Sequence, residues 1–362
     1  MKILFFCKIF DKSASGPFVS QLNIMEALET RGHYVGNLCK KGSKYKWKNN
    51  SSDLNYFYSI KDILNPFSLI KFIKKFDLIS FEGVWFSFGL IVSIIAINLK
   101  IPYVINVHGN FNPTALFKSK LKKKLFQFFG FWYLKNASGF RALTKKEKFY
   151  INTIIPGSNI YIIPNSLNLS KTDNLQKNSY GSYYLFLGRI DPIKGLELLI
   201  ESWSVANVKN YDLVIAGDGD KKYINEIKNL IKKLNLNNIK LIGQVNNLDK
   251  NSLLKNAHYL ILSSHSEAFP MVLIESLSQG TQILVSKNCN MSELRSSGGF
   301  FEFDHDVRSL STLIKQTARK QEKNIDKKRL YNFVFENYSN DRVSKLLVNE
   351  YLNILNKKNL TL

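Results

Sequence analysis

Tyr184 to Ser202 reads YLFLGRIDPIKGLELLIES, and three kinds of local order follow one another within it. Tyr184–Leu187 is an unbroken apolar run of strand length, the pattern of a strand buried on both faces. Gly188 to Lys194 is a loop with two cations, Arg189 and Lys194. Gly195–Ser202 then takes up helical spacing. Strand, loop and helix in that order form the unit of a parallel α/β layer. The same alternation continues downstream through strands Asp212–Ala216, Ile239–Ile242, Tyr259–Leu262 and Gln282–Val285. Between them lie helices Lys222–Leu234, Lys250–Asn256 and Met271–Gln279, which complete a doubly wound domain. Upstream, strands are expected at Ile3–Phe6, Asp77–Phe81, Tyr103–Val107, Gly139–Leu143 and Tyr161–Ile163, with a helix at Phe18–Thr30. The pattern breaks after Pro164-Asn165-Ser166, and the polar stretch Asn168–Ser182 reads as a linker. The expected domains are therefore 1–168 and 169–340. Helical spacing over Asp341–Leu355 places a helix in 341–362 that crosses back to the first domain.

Composition bounds the possibilities. A chain of 362 residues exceeds one typical core, so two domains are the default. Apolar residues at 45% and charged residues at 22% describe a folded globular protein. Cys7, Cys39 and Cys289 offer neither a CxxC pair nor a disulfide framework, which suits a reducing cytoplasm. The five histidines do not cluster with them, against a structural zinc site. The apolar start Ile3–Cys7 ends at Lys8 with no cleavage pattern, so a buried strand is expected there rather than a signal peptide. Phe88–Leu99, the longest apolar stretch, is about half the length that spans a bilayer. The net charge is +23, and residues 1–170 hold most of it, with 24 Lys and Arg against 8 Asp and Glu. Such a charge attracts nucleic acid, anionic lipid or phosphorylated substrates alike.

The chemistry concentrates in two stretches. In Ser266-Glu267-Ala268-Phe269-Pro270-Met271-Val272-Leu273-Ile274-Glu275, Glu267 sits in the loop after a strand and Pro270 opens a helix. Ligands of open α/β sheets bind at the carboxyl ends of strands, and a helix N-terminus favours negative charge there. Glu275 lies in a nearly apolar helix, where an unpartnered carboxylate costs roughly several kcal/mol to bury. Taken alone it would be a surface glutamate, but its spacing from Glu267 sets both carboxylates around one cleft. Arg189 and Lys194 lie at another strand's carboxyl end, where two cations can neutralise a departing diphosphate.

Together these stretches resemble glycosyltransferase family 4, a retaining family with the GT-B fold. Further motifs carry the likeness along nearly the whole chain. They are Ser15-Gly16-Pro17 before a helix, Arg31-Gly32-His33, Val107-His108-Gly109, Ile163-Pro164-Asn165-Ser166, Ala216-Gly217-Asp218-Gly219 and Leu241-Ile242-Gly243. Glu267 and Glu275 match the family's E-x7-E motif. The resemblance implies two Rossmann-like domains facing a central cleft, with the acceptor on the first and the nucleotide sugar on the second. It implies that Glu275 binds the ribose hydroxyls, and that Glu267 with the backbone of Ala268, Phe269, Pro270 and Met271 holds the transferred sugar. Arg189 and Lys194 would stabilise the diphosphate, and His108 would lie near sugar and acceptor. Gly16 would let its loop approach the donor phosphates. No metal and no cofactor is implied beyond a UDP- or GDP-linked donor. The implied acceptor is a glycan or lipid-linked sugar of bacterial surface polysaccharide, made in the cytoplasm.

Other readings fit less of the chain. The triplets Asp218-Gly219-Asp220 and Asp304-His305-Asp306 could hold a divalent cation, as in a GT-A transferase, but the order of motifs is that of GT-B. No GxGxxG follows the first strand, against a nicotinamide dehydrogenase. No nucleic-acid-binding motif accompanies the charge, so nucleic acid is not an expected partner. A non-catalytic sugar-binding protein would not need the intact quartet. The lysines of Lys118–Lys124, beside the aromatic-rich Leu125–Leu134, suit an anionic membrane surface. Docking through Lys118–Leu134 to the inner face of the plasma membrane is the corresponding expectation, against a core helix with a solvated basic start.

Overall fold

The computed structural model describes residues 1–7, 15–41, 54–59, 61–85, 87–117, 131–169, 181–319 and 326–360. The chain divides into two compact units, Met1–Asn168 with Asn340–Leu362, and Leu169–Ser339. Each is an α/β unit built on a parallel sheet.

Among the described residues the first unit has seven strands. They are β1 Lys2–Cys7, β2 Tyr34–Lys40, β3 Asn55–Tyr58, β4 Leu78–Glu82, β5 Tyr103–Asn106, β6 Gly139–Ala142 and β7 Ile160–Ile162. Their order across the sheet is β3-β2-β1-β4-β5-β6-β7, so the winding reverses between β1 and β4. Neighbouring pairs are parallel, with Ile3 opposite Val35 on one side and Leu78 on the other. One core face gathers Leu4, Phe6, Phe81 and Ile105 with the helix Ser87–Asn98. That helix takes up most of the apolar stretch Phe88–Leu99 and buries Phe88, Val92, Ile95 and Ala96. Among the described residues no helix is long and apolar enough to cross a membrane.

The opposite face holds Ile3, Phe5 and Val104 against the helices Ser15–Thr30 and Asn340–Leu360. The latter contributes Val343, Leu347, Tyr351 and Ile354 to that core. Arg31 fastens its start, with Nη2 2.6 Å from Asp341 Oδ1 and Nε donating to Ser344 Oγ at 2.7 Å.

The second unit has six described strands. They are β8 Tyr183–Leu187, β9 Asp212–Ala216, β10 Ile239–Gly243, β11 Tyr259–Leu262, β12 Gln282–Ser286 and β13 Phe300–Phe303. The order β10-β9-β8-β11-β12-β13 reverses between β8 and β11. In such a sheet the crevice at the reversal, beyond the strands' carboxyl ends, is where ligands bind.

Three strands depart from the sequence expectation: β2, β3 and β13. In β2, Gly36 and Asn37 interrupt the apolar pattern, and both have packing reasons. A Cβ on Gly36 would meet Phe76 Cζ at 2.3 Å, and the buried Asn37 amide lies against Cys7 and Cys39. The expected glycine loop before Phe18 is a second correction. Helix starts at Ser15, so Gly16 sits in its first turn. Pro17 is compatible with that turn, because its missing N–H has no intrahelical partner there.

Candidate functional site

In the second unit the loops after β8 and β11 flank the point where the winding reverses. The first loop closes in a short 3-10 turn, Pro192–Lys194, which Asp191 caps by accepting from Ile193 N at 3.1 Å. It ends at Gly195 with φ +63°, and a Cβ there would meet Ser263 O at 2.4 Å. A side chain is thus barred twice, by conformation and by contact. The glycine lets the two loops abut, and they are laced together. His265 N donates to Ile193 O at 2.8 Å, and Ser263 Oγ donates to Lys194 O at 3.0 Å.

This lacing brings Lys194 Nζ to 2.6 Å from Glu267 Oε1, and Ser264 Oγ donates to the same oxygen at 2.6 Å. Their side chains are 19% and 13% exposed, sheltered enough for the charges to matter and open enough to meet a ligand. Arg189 shares the loop but turns outward, its Nη2 3.4 Å from Asp191 Oδ2 and its side chain mostly in solvent. Ala268 and Phe269 link Glu267 to Pro270, the N-cap of helix Met271–Ser278. Phe269 is anchored near Tyr338, with ring centroids 6.1 Å apart. Glu275 lies on that helix and pairs with Lys250, Nζ to Oε1 2.9 Å. The structure therefore joins Lys194 to Glu267, keeps Arg189 beside Asp191, and gives Glu275 a partner that the sequence reading did not include.

A turn and a histidine pair support these loops. In the turn after β9, a Cβ on Gly217 would meet Gly188 O at 1.8 Å, and one on Gly219 would meet Ile190 O at 1.9 Å. The first D-x-D triplet lies in this turn. Asp220 caps helix Lys221–Lys233 by accepting from Lys222 N and Tyr223 N, and Asp218 accepts from Gly219 N. In the second triplet, Asp304 pairs with Lys287 and Asp306 accepts from Ser309 N. Between them His305 Nε2 lies 2.8 Å from His265 Nδ1, and His305 Nδ1 lies 3.0 Å from Ser286 Oγ. Burial, then the neighbouring His265, holds the His305 imidazole below the usual histidine range.

In the first unit, His108 follows β5 at a left-handed position, φ +50°, before Gly109 at φ +73°. Its Nε2 lies 2.9 Å from Glu82 Oε2, at the carboxyl end of β4. Glu82 Oε1 accepts from Ser80 Oγ at 2.9 Å and from Asn106 Nδ2 at 2.8 Å. Asn106 Oδ1 in turn accepts from the buried Arg141 at 3.3 Å. Arg141 also donates to the carbonyls of Ile163 and Pro164. Glu147 holds the other side of the turn, accepting from Gly109 N at 2.5 Å and Leu143 N at 2.6 Å. Burial pushes the Glu147 carboxyl up, while those two N–H groups pull it back. Glu82, Glu147 and Arg141 were not among the expected site residues. One signal was present for Glu147: Thr144-Lys145-Lys146-Glu147 has capping-box spacing, and Thr144 does cap the helix.

Two family models match the chain. Residues 15–171 match Glycosyltransferase Family 4, and residues 170–330 match Glycosyl transferases group 1. The chain belongs to the GT-B glycosyltransferases. A glycosyltransferase of Methanocaldococcus jannaschii, itself uncharacterized, is 24% identical over 68% of this chain and 66% of its own. A Campylobacter jejuni α-1,4-N-acetyl-D-galactosaminyltransferase, which acts on an undecaprenol-diphosphate-linked glycan, is 27% identical over 50% of this chain and 48% of its own. The matches thus span less than two thirds of either relative. Among solved structures, HepE of Anabaena in complex with UDP and glucose superposes with a TM-score of 0.76. It covers 98% of this glycosyltransferase and 100% of its own chain at 17% identity, a likeness of fold.

Proposed function

We propose that this chain moves a sugar, with retention, from a UDP- or GDP-linked donor to a glycan or lipid-linked acceptor of bacterial surface polysaccharide. The observation that carries the reading is the Lys194–Glu267 pair at the reversal point of the second sheet. A diphosphate and a sugar hydroxyl set need a cation and a carboxylate side by side, and a bound donor would draw Lys194 toward phosphate and free Glu267 for sugar hydroxyls. Arg189, already solvent-facing, would add the second positive charge. Glu275 would accept from the ribose hydroxyls, with Lys250 holding its carboxylate. The Ala268–Met271 backbone would face the sugar, and the first turn around Gly16 would face the phosphates. The bond from the anomeric carbon to the diphosphate breaks as the acceptor oxygen forms its own. The acceptor attacks on the face that the leaving group vacates and the leaving phosphate takes its proton, so no protein nucleophile is required, and Arg189 and Lys194 would supply the positive charge that a metal could otherwise bring.

The test is a thermal-shift series with UDP, GDP and their hexose conjugates, since a ligand that binds the folded state raises its melting temperature. One nucleotide series should raise it, and Glu275→Ala should abolish most of that rise. No shift with any of them, or donor turnover that survives loss of both Glu267 and Glu275, would sink the assignment. The lipid-linked acceptor fits the Campylobacter relative's named substrate. It also fits cytoplasmic work at the inner membrane face through Lys118–Leu134. Lys118–Gly130 lie outside the described residues, while Phe131 and Trp132 in the same stretch are exposed. Sedimentation with anionic vesicles should fall sharply on charge reversal of Lys120 and Lys122–Lys124.

A further inference from the structure

We infer that a hydrogen-bond chain starting at Arg141 fixes the tautomer of His108, with Glu82 as the residue that positions the ring. The inference rests on the reading of His108 as a group at the reaction site. A guanidinium can only donate. Arg141 is buried, and it also donates to the carbonyls of Ile163 and Pro164 and to Asn165 Oδ1. The oxygen of the Asn106 side chain must therefore face Arg141, which turns the Asn106 NH2 toward Glu82 Oε1. Ser80 Oγ donates to that same oxygen. Tyr351, from the helix Asn340–Leu360, lies 3.4 Å from Ser80 Oγ and closes the far side.

Glu82 Oε2 is then left for His108, and an ionised carboxylate only accepts. His108 must carry its proton on Nε2, so in the neutral ring Nδ1 is the acceptor nitrogen. Nearly every member is buried: the Glu82 side chain is 6% exposed and His108 14%, so water does not scramble the polarity. The turn itself is pinned by Glu147 through Gly109 N. A second-layer carboxylate that fixes a histidine's tautomer and direction is a recurrent device in sites where the other ring nitrogen meets a ligand.

Glu82→Gln separates this role from simple packing. Its oxygen should stay where Ser80 and Asn106 donate, so its NH2 would face His108 Nε2. The ring would then be driven to the Nδ1–H form without loss of volume. Long-range ¹H–¹⁵N spectra of the whole chain at pH 8, with His108→Asn to assign the signal, read the tautomer directly and need no substrate. We expect Nε2–H in the native protein and Nδ1–H in Glu82→Gln. In transfer from UDP-glucose or GDP-mannose, whichever the native enzyme uses, kcat should fall at least about tenfold with donor KM within about twofold. A native ring protonated on Nδ1 overturns the inference, as does Glu82→Gln with an inverted ring and undiminished kcat. The expected tautomers in a protein that turns over no nucleotide sugar would instead defeat the proposed function.

Discussion

Lys194 and Glu267 are 73 residues apart in sequence and share one hydrogen bond at 2.6 Å. Each was legible as a candidate because it follows an apolar strand, where chain direction alone puts a loop at the ligand-binding end of the sheet. Their direct contact was not legible, since it depends on Gly195 letting one loop abut on another. Glu82 and Lys250 escaped for a related reason. Their partners lie 26 and 25 residues away, and nothing local marks a carboxylate or a lysine as part of a buried pair, while the capping-box spacing of Glu147 left its bond to Gly109 N, 38 residues away, unmarked. Expected roles such as that of Glu275 rested on family likeness, which names a residue's ligand but not its neighbours. His305 supplies a prediction at this scale. Its folded-state pKa is depressed, so the fold favours the neutral ring. Stability from that ring is complete above the unfolded value, about 6.5, and is lost as pH falls below it toward the folded value. The neighbouring His265 adds to the depression caused by burial, and Asp306 opposes it. The melting temperature of His305→Gln should therefore lie below that of the native protein at pH 7.5, and the gap should narrow at pH 5. A gap that is constant with pH would show that this histidine's titration is not linked to folding.

Single elements show what residue types decide and what they leave open. β8 and β11 are apolar throughout and could be read directly. β2, β3 and β13 could not, because Gly36 and Asn37 in one, the four-residue length of Asn55–Tyr58 in another, and the flanking Gly298-Gly299 of the third erase the strand pattern. Helix starts were partly legible from polar residues, and Asp220 shows how one such residue was open to two uses. A carboxylate that accepts from Lys222 N and Tyr223 N satisfies donors that the helix itself leaves over. Its removal should cost about 1 kcal/mol, typical of a lost N-cap. Asp220→Ala is accordingly expected to lower stability slightly, with Asp220→Asn or Asp220→Ser restoring much of it in urea titration. Transfer that depends on an added divalent cation and vanishes in Asp220→Asn would instead revive the metal-site reading of this turn.

At the level of the whole molecule, the helix Asn340–Leu360 belongs to the first unit although the second unit precedes it in the chain. It places Val343, Leu347, Tyr351 and Ile354 in the core beside Ile3 and Phe5. At about 1.5–3 kcal/mol for each buried side chain, that contribution rivals the 5–15 kcal/mol that typically holds a domain folded. A chain ending at Ser339 should therefore keep a protease-resistant second unit while its first unit is digested, as mass spectrometry of the fragments would show. Survival of both units would mean that the first core closes without the helix. The same connectivity sets an order in time. A ribosome adding roughly 5–20 residues per second completes 169–339 before residues 340–360 emerge, about 10–40 s after Asn168. The first unit, begun earliest, must wait with one face of its sheet covered only in part, by the helix Ser15–Thr30, so during synthesis it is the half most in need of a chaperone.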